Sequence, residues 1–310
     1  MGKALVGKAV VVTGSGQGIG AAYARHAASE GAKVVVNDID AKLAEQSAAA
    51  IRAAGGTAVA RVADVTSWDQ AEALVQFCVK EYGSLDGWVN NAALFYLALP
   101  EEETEARMRK SIEVNVIGVI NCGLAALRQM YKQKSGSLVN VTSGAQCGMS
   151  GGGIYGASKG AVASVTYAWA IDSAVHGVRV NAISPFGSTR MIDAASDFVK
   201  AHREKGSNGG NMMHFEIPPE TNAPIMTYLL SDWAAGVNGQ VVRVQNTTIG
   251  LMAHPAAWHP HHTADKWTTE SVRDIFDKDF SKRLLPLGVS AIEGRIVDYT
   301  VPYETKSAAK

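Results

Sequence analysis

The chain has 310 residues, 47% of them hydrophobic and 19% charged, enough for one large α/β domain or two small ones with an ample core. Lys plus Arg number 29 and Asp plus Glu also 29, so no general attraction to nucleic acid or anionic lipid is expected. Three scattered cysteines, Cys78, Cys122 and Cys147, exclude a disulfide framework and read as small buried apolar groups in a reducing compartment.

The N-terminal residues run straight toward a strand, without an apolar stretch and a cleavage site. Met1-Gly2 opens like a myristoylation signal, but Val6 stands where Ser or Thr is needed. No apolar run is long enough to cross a bilayer, so a cytoplasmic protein with no membrane partner is expected. Asn140-Val141-Thr142 and Asn246-Thr247-Thr248 then match the glycosylation triplet only by chance.

In chain order, a strand is predicted over residues 9–13 and a helix over 19–30, with Thr13-Gly14-Ser15-Gly16-Gln17-Gly18-Ile19-Gly20 between them. Glycines there allow a tight turn and let a pyrophosphate approach bare backbone amides at the positive end of a helix. Strand, glycine cluster and helix in that order form the context of a dinucleotide fingerprint, which assigns Gly14, Gln17, Gly18, Ile19 and Gly20 to cofactor binding. A plain tight turn is the bland alternative. A strand over 33–37 ends beside Asp38, about 20 residues past the glycines. A carboxylate there accepts hydrogen bonds from both ribose hydroxyls and repels a 2′-phosphate. No Arg or Lys lies beside it, Lys42 being a turn further on, so NAD is preferred over NADP. A solvated turn aspartate is the competing reading, and Asp40 suits a cap for the helix over 41–54. After a strand over 57–62, Asp64 and Val65 stand where an adenine can lie, or Asp64 caps the helix over 67–82. A strand over 87–90 runs into Asn90-Asn91-Ala92-Ala93, at a carboxyl end where ligand crevices form, unless the paired Asn simply brace a turn.

A long helix over 103–131 follows, then a strand over 137–141, a second long helix over 154–176, a strand over 179–183, a helix over 219–230 and a final strand over 240–244. This alternation predicts one Rossmann-type, doubly wound parallel sheet of about seven strands within residues 1–250, with helices on both faces. Val10-Val11-Val12 is apolar on both faces, as a doubly covered sheet requires. Residues 191–218 break the rhythm, contain Gly206-Ser207-Asn208-Gly209-Gly210, and suit a lid or a disordered insert. Residues 251–310 form an extension expected to pack on the core or on a neighbouring subunit. A helix there carries Val272, Ile275, Phe276 and Phe280 on one face, capped by Thr268 or Thr269. His254, His259, His261 and His262 lack ligand spacing, so no metal is expected, and Trp258 and Trp267 anchor the extension by burial.

The most informative run is Tyr155-Gly156-Ala157-Ser158-Lys159. On a helix, Tyr155 and Lys159 share a face, and an ammonium beside a phenol pulls its pKa down from about 10. A tyrosine tuned that way can take a proton from an alcohol near neutral pH. Chance spacing explains most such pairs; the accompanying motifs reverse the odds.

Thr13–Gly20, Asp64, Asn90-Asn91-Ala92, Asn115 in Val114-Asn115-Val116, Ser143, Tyr155 with Lys159, and Pro185 occur together in one order. In these elements the chain, over roughly residues 5 to 250, resembles the short-chain dehydrogenase/reductase family. Asn37-Asp38, Asn181-Ala182-Ile183-Ser184-Pro185 and Thr189-Arg190-Met191 look like the branch containing the dehydrogenase unit of multifunctional β-oxidation enzymes. The resemblance implies hydride transfer between a carbinol carbon and the nicotinamide. Tyr155 as phenolate would accept the alcohol proton, Lys159 would lower the Tyr155 pKa and hold the nicotinamide ribose, and Ser143 (rival Thr142) would bind the substrate oxygen. Asn115 would hold a water linking Lys159 to solvent. Asn91, Pro185 and Thr189 complete the cofactor site, with Thr189 on the carboxamide and Ile183 or Pro185 packing nearby. Arg190 either meets an acidic substrate group or pairs on the surface. Departures from the family pattern are Ala93 for glycine, a Ser143–Tyr155 spacing one residue short, and Phe186 between Pro185 and Gly187.

The implied function is NAD-dependent oxidation of a secondary alcohol. An NADPH-dependent carbonyl reductase and a non-catalytic dinucleotide sensor are the alternatives. The pocket is expected between residues 94–97, 146–149, Phe186 and the 191–218 lid, where Met212, Met213 and Phe215 suggest a bulky apolar substrate: a hydroxyacyl thioester, a steroid or an aromatic carbinol. Pairing through the two long helices into a homodimer or homotetramer is implied by the same resemblance.

Overall fold

The computed structural model describes residues 3–187, 198, 217–245, 247–255, 262, 264 and 268–282. The chain divides into two compact units, Met1–Met252 and Ala253–Lys310.

In the first unit β-branched runs and alanine-rich helices alternate: β1 (Ala9–Val12), α1 (Gly18–Ser29), β2 (Lys33–Asp38), α2 (Ala41–Ala53), β3 (Thr57–Val62), α3 (Trp68–Tyr82) and β4 (Gly87–Asn90). There follow α4 (Glu105–Ile112), a π-helical turn (Glu113–Ile117), α5 (Gly118–Gln133), β5 (Gly136–Val141), α6 (Gly153–Ala174), β6 (Val178–Ser184), α7 (Ala223–Leu230), β7 (Val241–Gln245) and β8 (Thr248–Leu251). The strands form one sheet in the order β3-β2-β1-β4-β5-β6-β7-β8. Neighbours are parallel through β7, as crossover helices require, and β8 returns antiparallel.

β1 shows why the sheet is covered twice. Val10 and Val12 pack with Tyr23, Ala27 and Met226 on one side, whereas Val11 packs with Leu74, Trp88 and Leu127 on the other. The sequence reading gave about seven strands; the eighth, β8, was missed because all four of its residues are exposed and carry no burial period. The single helix expected over 103–131 is broken by the π-helical turn and starts at Glu105, with Thr104 capping it. By length and hydropathy Glu105–Gln133 could cross a membrane, contrary to the expectation from apolar runs. Its apolar face is used internally instead, with Cys122, Ala126, Leu127 and Met130 in the core.

Asp40 caps α2, accepting from the amides of Lys42 at 2.9 Å and Leu43 at 3.0 Å. α3 is capped by Ser67, not Asp64. Cys78 and Cys122 are buried as expected, but Cys147 is exposed at the end of a one-turn 3-10 segment, Gly144–Cys147. In the second unit, α8 (Thr269–Lys278) begins with a reciprocal cap in which Thr268 and Ser271 exchange side-chain-to-amide bonds. Phe276 and Phe280 meet edge to face, and His262 pairs with Asp279 at 2.8 Å. Trp258, His259, His261 and Trp267 lie outside the described residues.

Candidate active site

β1 and β4 are adjacent, yet the chain leaves them toward opposite sides of the sheet, and at such a switch point the carboxyl ends open a crevice. A cleft of about 660 Å³ lies there. Its first wall is the loop between β1 and α1. Gly14 has φ +58°, a left-handed conformation that favours glycine, and a side-chain carbon on it would come within 2.7 Å of Ala92 Cα. A carbon on Gly20 would fall on the Gly14 carbonyl and the Asn91 amide. Asn91 Nδ2 donates to the carbonyls of Thr13 and Gly14, both at 2.9 Å. Thr13 Oγ1 accepts from the amides of Asn91 at 3.0 Å and Ala92 at 3.1 Å. Asn91 therefore acts on the loop through its side chain, sewing the end of β4 to the glycine turn, and Thr13 completes the stitch.

Asp38 lines the next part of the cleft with Oδ2 accepting from the Gly16 amide at 3.0 Å and Oδ1 from Asp40 at 3.1 Å. Asp64 and Val65 line it too, and Asp64 Oδ1 closes a local turn by accepting from the Thr66 amide at 2.9 Å and hydroxyl at 2.8 Å. Gln17, Gly18 and Ile19 sit at the cleft-facing start of α1. These residues fit a dinucleotide. Bare glycine backbone at a helix N-terminus suits a pyrophosphate, and carboxylates suit the hydroxyl donors of a ribose. The lining cations among the described residues are Lys110 and Lys159, neither of them adjacent in sequence to Asp38.

α6 brings Tyr155 and Lys159 to the far part of the cleft. Lys159 is only 2% exposed; its Nζ donates to the Val141 carbonyl at 2.8 Å and lies 5.7 Å from the Tyr155 ring centre. Burial lowers its pKa to about 8. For Tyr155 burial dominates as well, pushing the phenol up to about 12 against a hydrogen bond with Ser143 that favours the phenolate. The expected depression of the Tyr155 pKa by Lys159 is thus absent from this structure: the ammonium spends its bond on Val141, and burial decides the direction. Phe95 meets the Tyr155 ring edge to face at 4.8 Å.

Ser143 lies two residues past the end of β5 and caps the 3-10 turn, its Oγ accepting from the Ala145 amide at 3.2 Å. α6 reaches this turn closely, because a side-chain carbon on Gly156 would lie 2.6 Å from the Ala145 carbonyl. That approach is what lets Tyr155 meet Ser143. Thr142, the rival, is buried with its hydroxyl on the Ile183 carbonyl at 3.1 Å. Asn115 is buried in the π-helical turn, where its amide accepts from the Leu94 amide at 2.7 Å and donates to the Leu94 carbonyl at 2.8 Å and to Ser158 Oγ at 3.1 Å. Its side chain therefore holds the strand-end loop to α6, next to Lys159.

Pro185, Phe186 and Gly187 form the third wall. Asn222, fully buried, accepts from the Phe186 amide at 3.2 Å and donates to its carbonyl at 3.0 Å. The sequence reading missed this clamp, whose one local signal was a small amide residue at a helix start just after Pro218-Pro219. Leu94, Phe95, Met149 and Phe186 line the cleft as expected, whereas Tyr96, Leu97, Gln146, Cys147 and Gly148 do not. Thr189, Arg190, Met191, Met212, Met213 and Phe215 lie outside the described residues.

Comparison with known proteins agrees with this geometry. Residues 8–198 match the family model for short chain dehydrogenases. The cis-4-hydroxycyclohexanecarboxylate dehydrogenase of Sinomonas cyclohexanicum is 38% identical over 248 residues, covering 79% of this chain and 97% of that protein. The peroxisomal hydratase-dehydrogenase-epimerase of Saccharomyces cerevisiae is 28% identical over 303 residues, 91% of this chain but 32% of that larger protein. A crystal structure of a short chain dehydrogenase from Mycobacterium avium superimposes with a TM-score of 0.79 at 30% identity, covering 93% of this chain and 99% of the other.

Proposed function

Since the chain belongs to the short chain dehydrogenase family, and is thus an alcohol-type oxidoreductase working with a nicotinamide dinucleotide, we propose that it oxidises a bulky, apolar secondary alcohol to the ketone with NAD. The observation that carries the proposal is the meeting of Tyr155, Ser143 and Lys159 in one cleft that begins at the glycine loop and Asp38. The bound nicotinamide supplies the hydride acceptor. Gly14, Gln17, Gly18, Ile19, Gly20, Asp64, Val65, Asn91, Pro185 and Thr189 hold the dinucleotide, and Asp38 selects NAD by repelling a phosphorylated ribose.

Ser143 holds the carbinol oxygen against Tyr155, which takes the hydroxyl proton. With its pKa near 12 the phenol is the resting form, so oxidation requires Tyr155 to lose its own proton first. Ser143 favours the phenolate through its hydrogen bond, Lys159 holds the nicotinamide ribose, and Asn115 keeps α6 in register with the Leu94 loop. Leu94, Phe95, Met149 and Phe186 give an apolar lining that suits a hydroxyacyl thioester, a steroid or a ring carbinol. The cyclohexane alcohol in the name of the Sinomonas relative is consistent with that class. The enzyme is proposed to work as a homodimer or homotetramer paired through α5 and α6.

The test is a panel of secondary alcohols with NAD or NADP, followed by reduced-cofactor absorbance. NAD should support the faster turnover, and Tyr155→Phe should reduce kcat by about 10²- to 10⁴-fold with the fold intact. Tighter binding of NADPH than NADH, or a Tyr155→Phe variant turning over like the wild type, would refute the reading.

A further inference from the structure

Ser143 must stand still for this chemistry, and the turn that carries it is pressed from two sides. On one side α6 presses on it, with Gly156 against the Ala145 carbonyl. On the other lies Arg243, from β7. A side-chain carbon on Gly144, the residue directly after Ser143, would come within 2.7 Å of Arg243 Nη1, 3.1 Å of Cζ and 3.2 Å of Nη2. The guanidinium therefore occupies the space that a side chain on Gly144 would need. It is fixed there by Nη1 donating to Ser184 Oγ at 2.9 Å, and Ser184 is the last residue of β6, directly before Pro185 in the third wall of the cleft. Gly156 is required by the approach of α6 to the Ala145 backbone, and a side chain at Gly144 would displace the guanidinium. Cys147, at the end of the same turn, also feels the Arg243 charge.

We propose that Arg243 is a positioning residue for the reaction: as the outer jaw of a clamp whose inner jaw is α6, it fixes the Gly144 turn and holds Ser143 within hydrogen-bond reach of Tyr155. The inference rests on the proposed role of Ser143 and Tyr155. A guanidinium is suited to the task, because its rigid fork fills the space beside Gly144 while donating to a hydroxyl; a lysine would supply the charge and stem without the fork.

The test uses the full chain with ring-labelled tyrosine, followed by NMR. The Tyr155 resonance is assigned by its disappearance in Tyr155→Phe, and Ser143→Ala gives its position when the Ser143 bond is lost. In Arg243→Met the resonance should move most of the way toward the Ser143→Ala position, and kcat with the best panel alcohol should fall about 10- to 100-fold while NADH affinity stays within about twofold. Arg243→Lys should recover part of both effects, and Ser184→Ala, a milder change with less risk to folding, should move the resonance in the same direction. A Tyr155 resonance unmoved in Arg243→Met, or unmoved in Ser184→Ala if Arg243→Met does not fold, overturns the inference. Such a result leaves the proposed function intact, which fails only if Tyr155→Phe keeps its turnover.

Discussion

Lys159 is a cation sealed in a core, and its surroundings make two predictions at the scale of single residues. Its pKa is lowered to about 8, from an ordinary value of 10.5. Below the folded value the penalty of keeping it charged is present in full; as pH rises from about 8 toward 10.5, the native protein sheds that proton while the unfolded chain still holds it, so stability is gained. Urea unfolding should therefore show Lys159→Met more stable than the wild type near neutral pH, with the gap closing by up to a few kcal/mol as the pH rises through that window. A gap independent of pH would contradict the assignment. Tyr155 sets the activity side. With the phenol near 12, alcohol oxidation by the free enzyme should climb with pH across the neutral and mildly alkaline range, while ketone reduction, which needs the phenol protonated, should not. Away from the cleft, Tyr23 on α1 is fully buried and its hydroxyl has no hydrogen-bond partner among the described residues. Tyr23→Phe removes an orphan polar group without opening a cavity, so thermal unfolding should show a stabilisation of about 1 kcal/mol. The pairing of Tyr155 with Lys159 was legible in the sequence because it depends on spacing along one helix. The pKa of Tyr155 was not, because it depends on what covers the hydroxyl, and that cover comes from segments distant in the chain.

The loop from β1 to α1 shows the same division at the scale of elements. Its strand, glycines and helix follow one another in the chain, so the glycine loop could be read directly. The reason Gly20 admits no side chain could not, because the atoms it would strike belong partly to Asn91, brought over by β4. Gly20→Ala should force that loop outward and weaken NADH binding at least about tenfold, measured by cofactor fluorescence, with far-ultraviolet dichroism unchanged. The π-helical turn is a second case. Its residues carry an ordinary helical pattern, and from the widened backbone Asn115 reaches both Leu94 and Ser158, partners distant in the chain. Asp64 is a third: a carboxylate ahead of a helix reads as a cap, yet Thr66 takes up the carboxylate and Ser67 caps α3.

At the scale of the whole molecule, a buried chain of hydrogen bonds ties the sheet to α6. Trp88 Nε1 donates to Asn90 at 2.7 Å, Asn90 to Asn140 at 2.9 Å, and Asn140 to Thr166 on α6 at 2.9 Å. The outer face of α6 has the opposite character, with Ile171 76% exposed and Val175, just past its end, 84% exposed. Apolar side chains this exposed on one helix suit the pairing through α5 and α6 proposed above. Ile171→Lys with Val175→Lys should shift the protein to a smaller species in analytical ultracentrifugation if α6 is in the subunit contact, and an unchanged mass would exclude that face. The clamp at Asn222 has a consequence of another kind. Its one amide grips Phe186, and Gly187 packs against Asn222 and Pro219, so the described chain before residue 188 and after residue 216 is held together at this clamp. Because closing a connection costs little more as it lengthens, ends fixed to each other in this way leave natural variation, or a protein engineer, free to alter the length between them without disturbing the clamp.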